Sequence, residues 1–160
     1  PGNLYGVMTV QEEVGLRGAG TSVTVVKPDV AVVLDVTVAT DTPNVGEDEA
    51  TTRAGLGKGP VVGFYDATMI PNIALRDLVA STAAEAGIPF QAEVMPGGGM
   101  DAGKIHVYRQ GVPSIVIGIP VRYIHSHVGL AHLDDYANGV ELVLALVNKL
   151  DRDTVNSLKA

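Results

Sequence analysis

The stretch VAVVLDVTVA, residues 30–39, is the strongest strand signal in this chain of 160 residues. Its β-branched residues occupy both alternating sets of positions, which is typical of a strand buried on both faces at the centre of a sheet. Asp35 interrupts this apolar run. Because an unpartnered carboxylate is costly to bury, we expect Asp35 to have a cation, a metal ion or a proton as its partner, or to act as a strand-end cap.

Helical and strand-like segments alternate on either side of this strand. Further strands are predicted at 4–11, 60–65, 89–95 and 113–119, and helices at 17–27, 71–86 and 134–150, with a helical turn near Asp101 and a long polar loop at 40–59. This alternation predicts an α/β fold, a three-layer α/β/α sandwich with a mixed sheet.

Composition limits the classes of function. The chain is 46% hydrophobic and 18% charged, which is typical of a folded domain. It has no apolar run of about 20 residues and no signal peptide, so we expect a soluble, cytoplasmic protein with no membrane partner. The net charge of −7 argues against a nucleic-acid partner. With no cysteine, any metal must be bound by carboxylates and imidazole.

Two adjacent carboxylates, Glu12 and Glu13, follow the apolar stretch LYGVMTV (residues 4–10) and precede a turn with glycine. Strand ends are where α/β proteins bind ligands, so these side chains are candidates for catalysis. An exposed acidic turn is the simpler alternative, because glutamate is almost never buried without a partner.

Histidines follow the predicted strand at 113–119. His125 and His127 are two residues apart, so in an extended segment they would share one face and could bind one metal ion. His106 and His132 lie in amphipathic segments, where we expect ordinary hydrogen bonds. Acidic residues and a histidine at strand ends form the ligand set of a hydrolytic metal centre.

The loop PGGGMDAG, residues 96–103, could bind an anion through backbone N–H groups, with Asp101 capping the following helix. It matches neither the phosphate-loop nor the dinucleotide-binding pattern. Lys58 stands between two glycines and is either a surface charge or a substrate contact. The candidate substrate-binding residues are Lys58, Gly98, Gly99 and Asp101.

Several motifs together carry a family resemblance. They are TVQEEVGLRGA (9–19), LDVTVATDTP (34–43), GLGKGP (55–60), PGGGMDAGKIH (96–106), GVPS (111–114) and RYIHS (122–126). In this order they resemble the tetrahedral (TET-type) metallo-aminopeptidases of bacteria and archaea, a group that includes glutamyl and deblocking aminopeptidases. The resemblance covers nearly the whole chain.

The resemblance implies roles for four residues. Glu12 corresponds to the general base, Glu13 and His125 to ligands of one metal ion, and Asp35 to a ligand of the other. The expected cofactors are two divalent ions, zinc or cobalt. The family also uses a histidine and a bridging aspartate upstream of the EEVG motif, so we expect residues 1–160 to be a single, partial catalytic domain whose N-terminal part is missing. Met100 departs from the threonine usual in the family.

The expected function is metal-assisted release of N-terminal amino acids from peptides, by a protein that forms a homo-oligomer. Two alternatives stay open. The chain could be a non-catalytic fragment or subunit that needs a partner chain. It could also be a glycoside hydrolase of the endoglucanase kind, because paired carboxylates serve that chemistry as well. The absence of tryptophan and the adjacency of Glu12 and Glu13 make that reading the weakest.

Overall fold

A computed structural model describes residues 2–43 and 54–159. Helices and strands alternate along this part of the chain as α1 (Arg17–Val26), β1 (Ala31–Val38), β2 (Val61–Asp66), α2 (Ile73–Ala86), β3 (Gln91–Met95), α3 (Ala102–Ile105), β4 (Ser114–Arg122), β5 (Leu130–Ala131), α4 (Leu133–Lys149) and α5 (Arg152–Ser157). The short elements β5 and α5 were not predicted from the sequence. In the described part of the chain, no helix has both the length and the apolar character needed to cross a membrane.

The strands form one mixed sheet in the order β1-β4-β2-β3, with β5 paired to the far end of β4. β1 runs parallel to β4, and β2 runs parallel to β3, whereas β2 and β4 are antiparallel. The β1–β4 register pairs Ala31 with Ser114 and Val38 with Val121. Both strands therefore end at the same edge of the sheet.

Apolar clusters pack helices against both faces of the sheet, which confirms the predicted three layers. On one face, buried residues of β2 and β4 pack against α2, α4 and the residue that follows α5; the cluster includes Val62, Leu75, Val79, Ile115, Ile117, Leu142, Leu146 and Leu158. On the other face, a smaller cluster joins the sheet to α3 and its preceding loop; it consists of Val33, Met69, Met100, Ala102 and Val116. Met100 is thus part of the core.

Helix starts follow from side-chain caps. The Asn72 side chain accepts a hydrogen bond from the Leu75 N–H at 2.9 Å, so α2 begins at Ile73 instead of at Pro71 as predicted. The His132 Nδ1 atom caps α4 by accepting from the Asp134 N–H at 3.2 Å. His106 Nδ1 lies 2.9 Å from the Ala102 carbonyl oxygen. The expectation that His106 and His132 make ordinary hydrogen bonds is confirmed.

The strand predicted at 4–11 is wrong. Residues 2–9 have no regular secondary structure, and Leu4, Tyr5 and Met8 are exposed. The apolar composition of LYGVMTV favours a strand, but a strand also needs a neighbour to receive its backbone hydrogen bonds. No strand of the described residues pairs with this segment.

The prediction that β1 is a central, doubly buried strand is also wrong. β1 lies at one end of the sheet and pairs only with β4 among the described strands. Its outer face exposes Leu34, Val36 and Val38, whereas Val33 and Thr37 on the other face are buried. Asp35 is on that inner face and is half-buried. β-branched composition alone does not distinguish a central strand from an edge strand with one uncovered face.

Two polar side chains hold the segment at 54–60 in place. Fully buried Asp135 accepts hydrogen bonds from the Gly57 and Gly59 N–H groups at 2.8 and 2.7 Å. The Gln91 side chain binds the Gly55 N–H and carbonyl oxygen at 2.8 and 3.0 Å. Lys58, between the two anchored glycines, is therefore presented from a fixed backbone. This segment closes the loop predicted at 40–59, of which 44–53 lie outside the described residues.

We predict that Asp135→Asn lowers the free energy of unfolding by about 1–3 kcal/mol, because one buried glycine N–H would then face an N–H₂ group instead of an acceptor. Urea denaturation measures this difference. The neighbouring Asp134 is exposed and makes the matched control, since Asp134→Asn should change the free energy of unfolding far less. Equal losses in the two variants would contradict the anchoring role of Asp135.

Candidate active site

Glu13 and His125 meet although they are 112 positions apart in the sequence. The His125 Nε2 atom lies 3.1 Å from the Glu13 Oε1 atom, and both side chains are exposed. Glu13 lies in the turn before α1, and His125 lies in the turn after β4. The fold therefore joins two of the residues that the sequence singles out, at the edge of the sheet where β4 ends.

Both turns have unusual backbone conformations. Gln11 and Leu16 flank the glutamate pair with φ values of 57° and 58°, and Tyr123 and His125 have φ values of 63° and 58°. This left-handed conformation costs a residue with a side chain about 1–2 kcal/mol. Backbone strain of this kind accumulates at functional sites, where the surrounding structure holds it in place.

Local hydrogen bonds hold these turns in place. In the first turn, the Leu16 N–H donates to the Glu12 carbonyl oxygen at 2.9 Å, and the Gly18 N–H donates to the Val10 carbonyl oxygen at 2.9 Å. A Cβ atom on Gly18 would lie 2.4 Å from that Val10 oxygen, so only glycine allows this approach. In the second turn, the Ser126 hydroxyl donates to the Tyr123 carbonyl oxygen at 2.7 Å.

The acidic side chains of the site act on one another. Partial burial raises the pKa of Glu12, and the nearby charges of Asp35, Glu13 and Asp101 raise it further, against a smaller opposing effect of His125. Burial also raises the pKa of Asp35, opposed by the Val36 N–H and supported by Asp101 and Glu13. The structure thus brings Glu12, Glu13, Asp35 and His125 into one electrostatic neighbourhood, together with Asp101.

Asp101 does not cap α3 as predicted, because its side chain makes no hydrogen bond to that helix. Its Oδ2 atom instead accepts from the Thr9 hydroxyl at 2.6 Å. Its Oδ1 atom is buried and has no hydrogen-bond partner among the described residues. Only 6% of Asp101 is exposed, so a carboxylate oxygen inside the site lacks a donor or a cation.

This donor set fits a divalent cation. Mutually repelling carboxylates, a buried unpartnered carboxylate oxygen and an imidazole are the ligands and surroundings that zinc-like ions favour. In residues 2–43 and 54–159, however, no group of three or more ligand-type side chains is arranged to hold a metal ion. The described residues therefore bring two ligand-type side chains into contact, Glu13 and His125, and place the Asp35 carboxylate apart from that pair.

His127 does not share a face with His125. The prediction assumed an extended segment, but residues 123–125 form a turn in which Tyr123 and His125 adopt the left-handed conformation. His127 makes no hydrogen bond or ion pair with any other described residue, and only His125 reaches Glu13. The period of two that places residues on one side of a strand does not hold in a turn.

The glycine loop serves packing. A Cβ atom on Gly99 would lie 2.3 Å from the Thr68 Cγ2 atom, so glycine is required where the loop meets residues 66–69. Gly98 has a φ value of 83°, and its carbonyl oxygen accepts from the Ala67 N–H at 3.2 Å. These contacts hold the part of the loop that precedes Asp101, whose charge acts on Glu12 and Asp35.

An ion pair that was not predicted from the sequence lies at the same edge of the sheet. Arg122, the last residue of β4, donates two hydrogen bonds to Asp41 at 3.0 and 3.1 Å. Arg122 holds the pKa of Asp41 below its usual range, with smaller contributions from the Leu56 N–H and from Lys58. Arg122 ends β4, and Asp41 follows shortly after the end of β1. Opposite charges at the ends of two predicted strands are the sequence signal that could have indicated this pair.

Comparison with known proteins agrees with this geometry. The family model described as M42 glutamyl aminopeptidase matches residues 1–142, so the chain belongs to this family of aminopeptidases. The resemblance inferred from the sequence motifs is confirmed.

Similar proteins are found among solved structures and among curated sequences. A TET aminopeptidase from a marine-sediment Thaumarchaeota archaeon is 51% identical, with a TM-score of 0.89 over 94% of this chain and 41% of its own. The aminopeptidase APDkam598 from Desulfurococcus kamchatkensis is 39% identical, with a TM-score of 0.88 over 95% of this chain and 43% of its own. A lysyl aminopeptidase from Pyrococcus furiosus is 39% identical over 92% of this chain and 41% of its own. The chain thus spans about two fifths of the length of these relatives.

The raised pKa of Asp35 predicts how the stability of the metal-free protein depends on pH. A carboxyl group whose folded-state pKa lies above its ordinary value of 3.8 stabilises the fold below that value and loses this contribution as pH rises through the folded-state pKa. Asparagine does not titrate and keeps an oxygen for the Val36 N–H. The stability of Asp35→Asn relative to the unchanged chain should therefore increase as pH rises above 3.8.

Urea denaturation at a series of pH values, with a chelator present, measures this dependence. Glu141→Gln on the exposed side of α4, measured in the same way, is the control for removing one surface carboxyl group. Parallel curves for Asp35→Asn and the unchanged chain would show that Asp35 titrates alike in the folded and unfolded states.

Proposed function

We propose that this chain forms part of the catalytic domain of a metal-dependent aminopeptidase, which releases N-terminal amino acids from peptides. Residues 1–160 would then be a single, partial domain. The observation that carries the proposal is the contact of Glu13 with His125 beside Glu12 and Asp35, which gathers four residues from three separate motifs of the family at one edge of the sheet. Membership of the M42 family supports it.

Glu13 and His125 would hold one divalent ion, and Asp35 would belong to a second ion. Carboxylate and imidazole ligands suit zinc and cobalt, which are the ions we propose. When bound, such ions supply Lewis-acid polarisation of the scissile carbonyl group. The exposed position of Glu13 and His125 leaves their ligand atoms open to solvent and substrate.

Glu12 would act as the general base. It accepts the proton of the attacking water and delivers it to the leaving amine, so that one carboxylate serves both halves of the hydrolysis. Its raised pKa supports this role, because a base is most effective when its pKa approaches the working pH. Glu12 makes no side-chain hydrogen bond to another described residue, which leaves its oxygens free for water.

Lys58, Gly98 and Gly99 would face the substrate. Asp101 would act on it at a distance, because its unpartnered Oδ1 atom is buried but contributes negative charge that attracts the ammonium group of a peptide. Lys58 is anchored through its neighbours by Asp135 and would offer positive charge to a substrate carboxylate. Gly98 and Gly99 would hold the loop close enough for backbone contacts.

We also propose assembly into a homo-oligomer. The uncovered apolar side chains Leu34, Val36 and Val38 favour contact with further protein. TET1 peptidase from Pyrococcus horikoshii, a relative 33% identical with a TM-score of 0.71, can assemble into a tetrahedron or a large octahedral shell. The cytoplasmic location expected from the sequence stays a prediction.

A second candidate is a non-catalytic portion that becomes an enzyme only with additional chain. The absence of a three-ligand group from the described residues favours it, since a catalytic zinc ion has three protein ligands. A glycoside hydrolase is the weakest candidate. A Thermotoga maritima protein 30% identical to this chain is described as an endoglucanase, but no feature of the present site favours sugar chemistry over peptide chemistry.

Matched substitutions separate the roles of the two adjacent glutamates. In protein loaded with zinc or cobalt, Glu12→Gln should leave metal content nearly unchanged and lower kcat by about 10²–10⁴, the usual contribution of a general base. Glu13→Gln should lower metal content itself, because an amide is a poorer ligand than a carboxylate. Metal content is measured by atomic absorption, and activity is measured with amino-acid anilides.

Glu141→Gln, at an exposed position of α4, is the control for the loss of one carboxylate charge. If Glu12→Gln lost the metal while Glu13→Gln kept it, the roles of base and ligand would be exchanged. If the unchanged chain bound metal without hydrolysing any anilide, the second candidate would be correct.

A further inference from the structure

A buried hydrogen bond joins two strands that are not neighbours. The Thr37 hydroxyl on β1 donates to the Glu93 Oε1 atom on β3 at 2.5 Å. β1 and β3 are the two ends of the strand order, and both β4 and β2 lie between them. Thr37 is 1% exposed and Glu93 is 9% exposed. The sheet must therefore curl so that the inner faces of its outermost strands approach each other.

Glycines in the two intervening strands leave space on this face. Gly118 of β4 is the register partner of Asp35, and Gly63 of β2 is the register partner of Glu93. A Cβ atom on Gly118 would lie 3.3 Å from the Thr37 Cγ2 atom, so the threonine side chain lies across this glycine. Thr37 therefore packs between the Glu93 side chain and Gly118, the residue of β4 that pairs with Asp35.

Burying the Glu93 carboxyl group at this position costs free energy. No cation pairs with it in the described part of the chain, and burial raises its pKa, with the Thr37 hydroxyl opposing and the charge of Asp66 adding to that rise. A purely apolar side chain would avoid the cost of burying a carboxyl group. The presence of Glu93 here is explained if the hydrogen bond that its Oε1 atom accepts from Thr37 has a role of its own.

β1 has few other contacts with described residues that hold it in place. Among the described strands it is held by β4 alone, and its outer face is uncovered. Asp35 and Thr37 are two residues apart on the inner face. The bond to Glu93 fixes the inner face directly after Asp35 and resists rotation or slippage of the strand that carries this carboxylate.

We infer that Glu93 and Thr37 are positioning residues that hold Asp35 in its orientation for metal binding, acting across the sheet. The metal-binding part of this inference rests on the proposed function. The orientation of Asp35 does not, because it is observable without metal: the Val36 N–H donates to the Asp35 Oδ1 atom at 2.7 Å. The Val36 amide is therefore a reporter of the Asp35 side chain.

Two pairs of substitutions test the inference on the whole chain. Thr37→Val and Glu93→Leu remove the donor or the acceptor with similar side-chain size, whereas Thr37→Ser and Glu93→Gln keep a hydroxyl donor and an oxygen acceptor. Leu146→Ala, in the core on the opposite face, is the control for loss of stability alone. All five variants are measured at a temperature at which thermal unfolding shows them to be folded.

The first readout is the NMR signal of the Val36 amide in metal-free protein. Because residue 37 is covalently next to Val36, any substitution there moves this signal, so the diagnostic variants are those at Glu93: the signal should shift in Glu93→Leu and stay near its original position in Glu93→Gln and Leu146→Ala. The second readout is the affinity for Co²⁺, followed by optical absorption. Removing a supporting hydrogen bond near a ligand typically lowers metal affinity about 10–100-fold, so Thr37→Val and Glu93→Leu should lose at least about tenfold and the conservative variants little.

An unchanged Val36 signal in Glu93→Leu, with thermal unfolding lowered as in Leu146→Ala, would overturn the inference, because the Thr37–Glu93 hydrogen bond would then only stabilise the fold. A shifted Val36 signal with no Co²⁺ binding by the unchanged chain would uphold the positioning of Asp35 and count against the proposed metal site of this chain. The two failures are thus distinguishable.

Discussion

The parallel pairing of β1 with β4 determines where the candidate active site forms. It runs in unbroken register from Ala31–Ser114 to Val38–Val121 and brings the carboxyl ends of both strands to one edge of the sheet. Asp35 lies on one of these strands, and the turn with His125 follows the other. Ligands bind at such edges in α/β proteins because loops there present side chains from distant parts of the sequence. Glu13 completes the arrangement by reaching His125 from the turn before α1.

Several acidic side chains lie close together at this edge of the sheet. Glu12 and Asp35 both have raised pKa values, and Asp101 keeps a buried oxygen without a partner. The two turns that carry Glu13 and His125 contain left-handed residues that bear side chains. Each feature lowers the stability of the metal-free fold, and a divalent cation would relieve the repulsion among the carboxylates. A site that is destabilised in this way is typical of function, since stability is commonly given up where chemistry requires it.

Much of this could be predicted from the sequence, and the exceptions have physical causes. The sequence located α2, α4 and β1–β4 well. The periodic apolar patterns that indicate such elements are formed by residues close together in the sequence. The segment at 4–11 failed because a strand requires a partner, which local sequence does not contain. The edge position of β1, the Thr37–Glu93 bond and the Arg122–Asp41 pair depend on tertiary arrangement in the same way. The contact of Glu13 with His125 was expected only through the resemblance of the motifs to a known family.

Anomalous X-ray diffraction at the zinc absorption edge, on crystals grown with Zn²⁺, shows directly whether Glu13 and His125 are metal ligands. We expect an anomalous peak bonded to both residues, at about 2.0–2.2 Å from their ligand atoms. Glu13 and His125 would then be bridged by the ion instead of touching each other. Crystals in which Zn²⁺ binds elsewhere on the chain, while Glu13 and His125 keep their direct contact, would contradict the assignment of this pair as metal ligands.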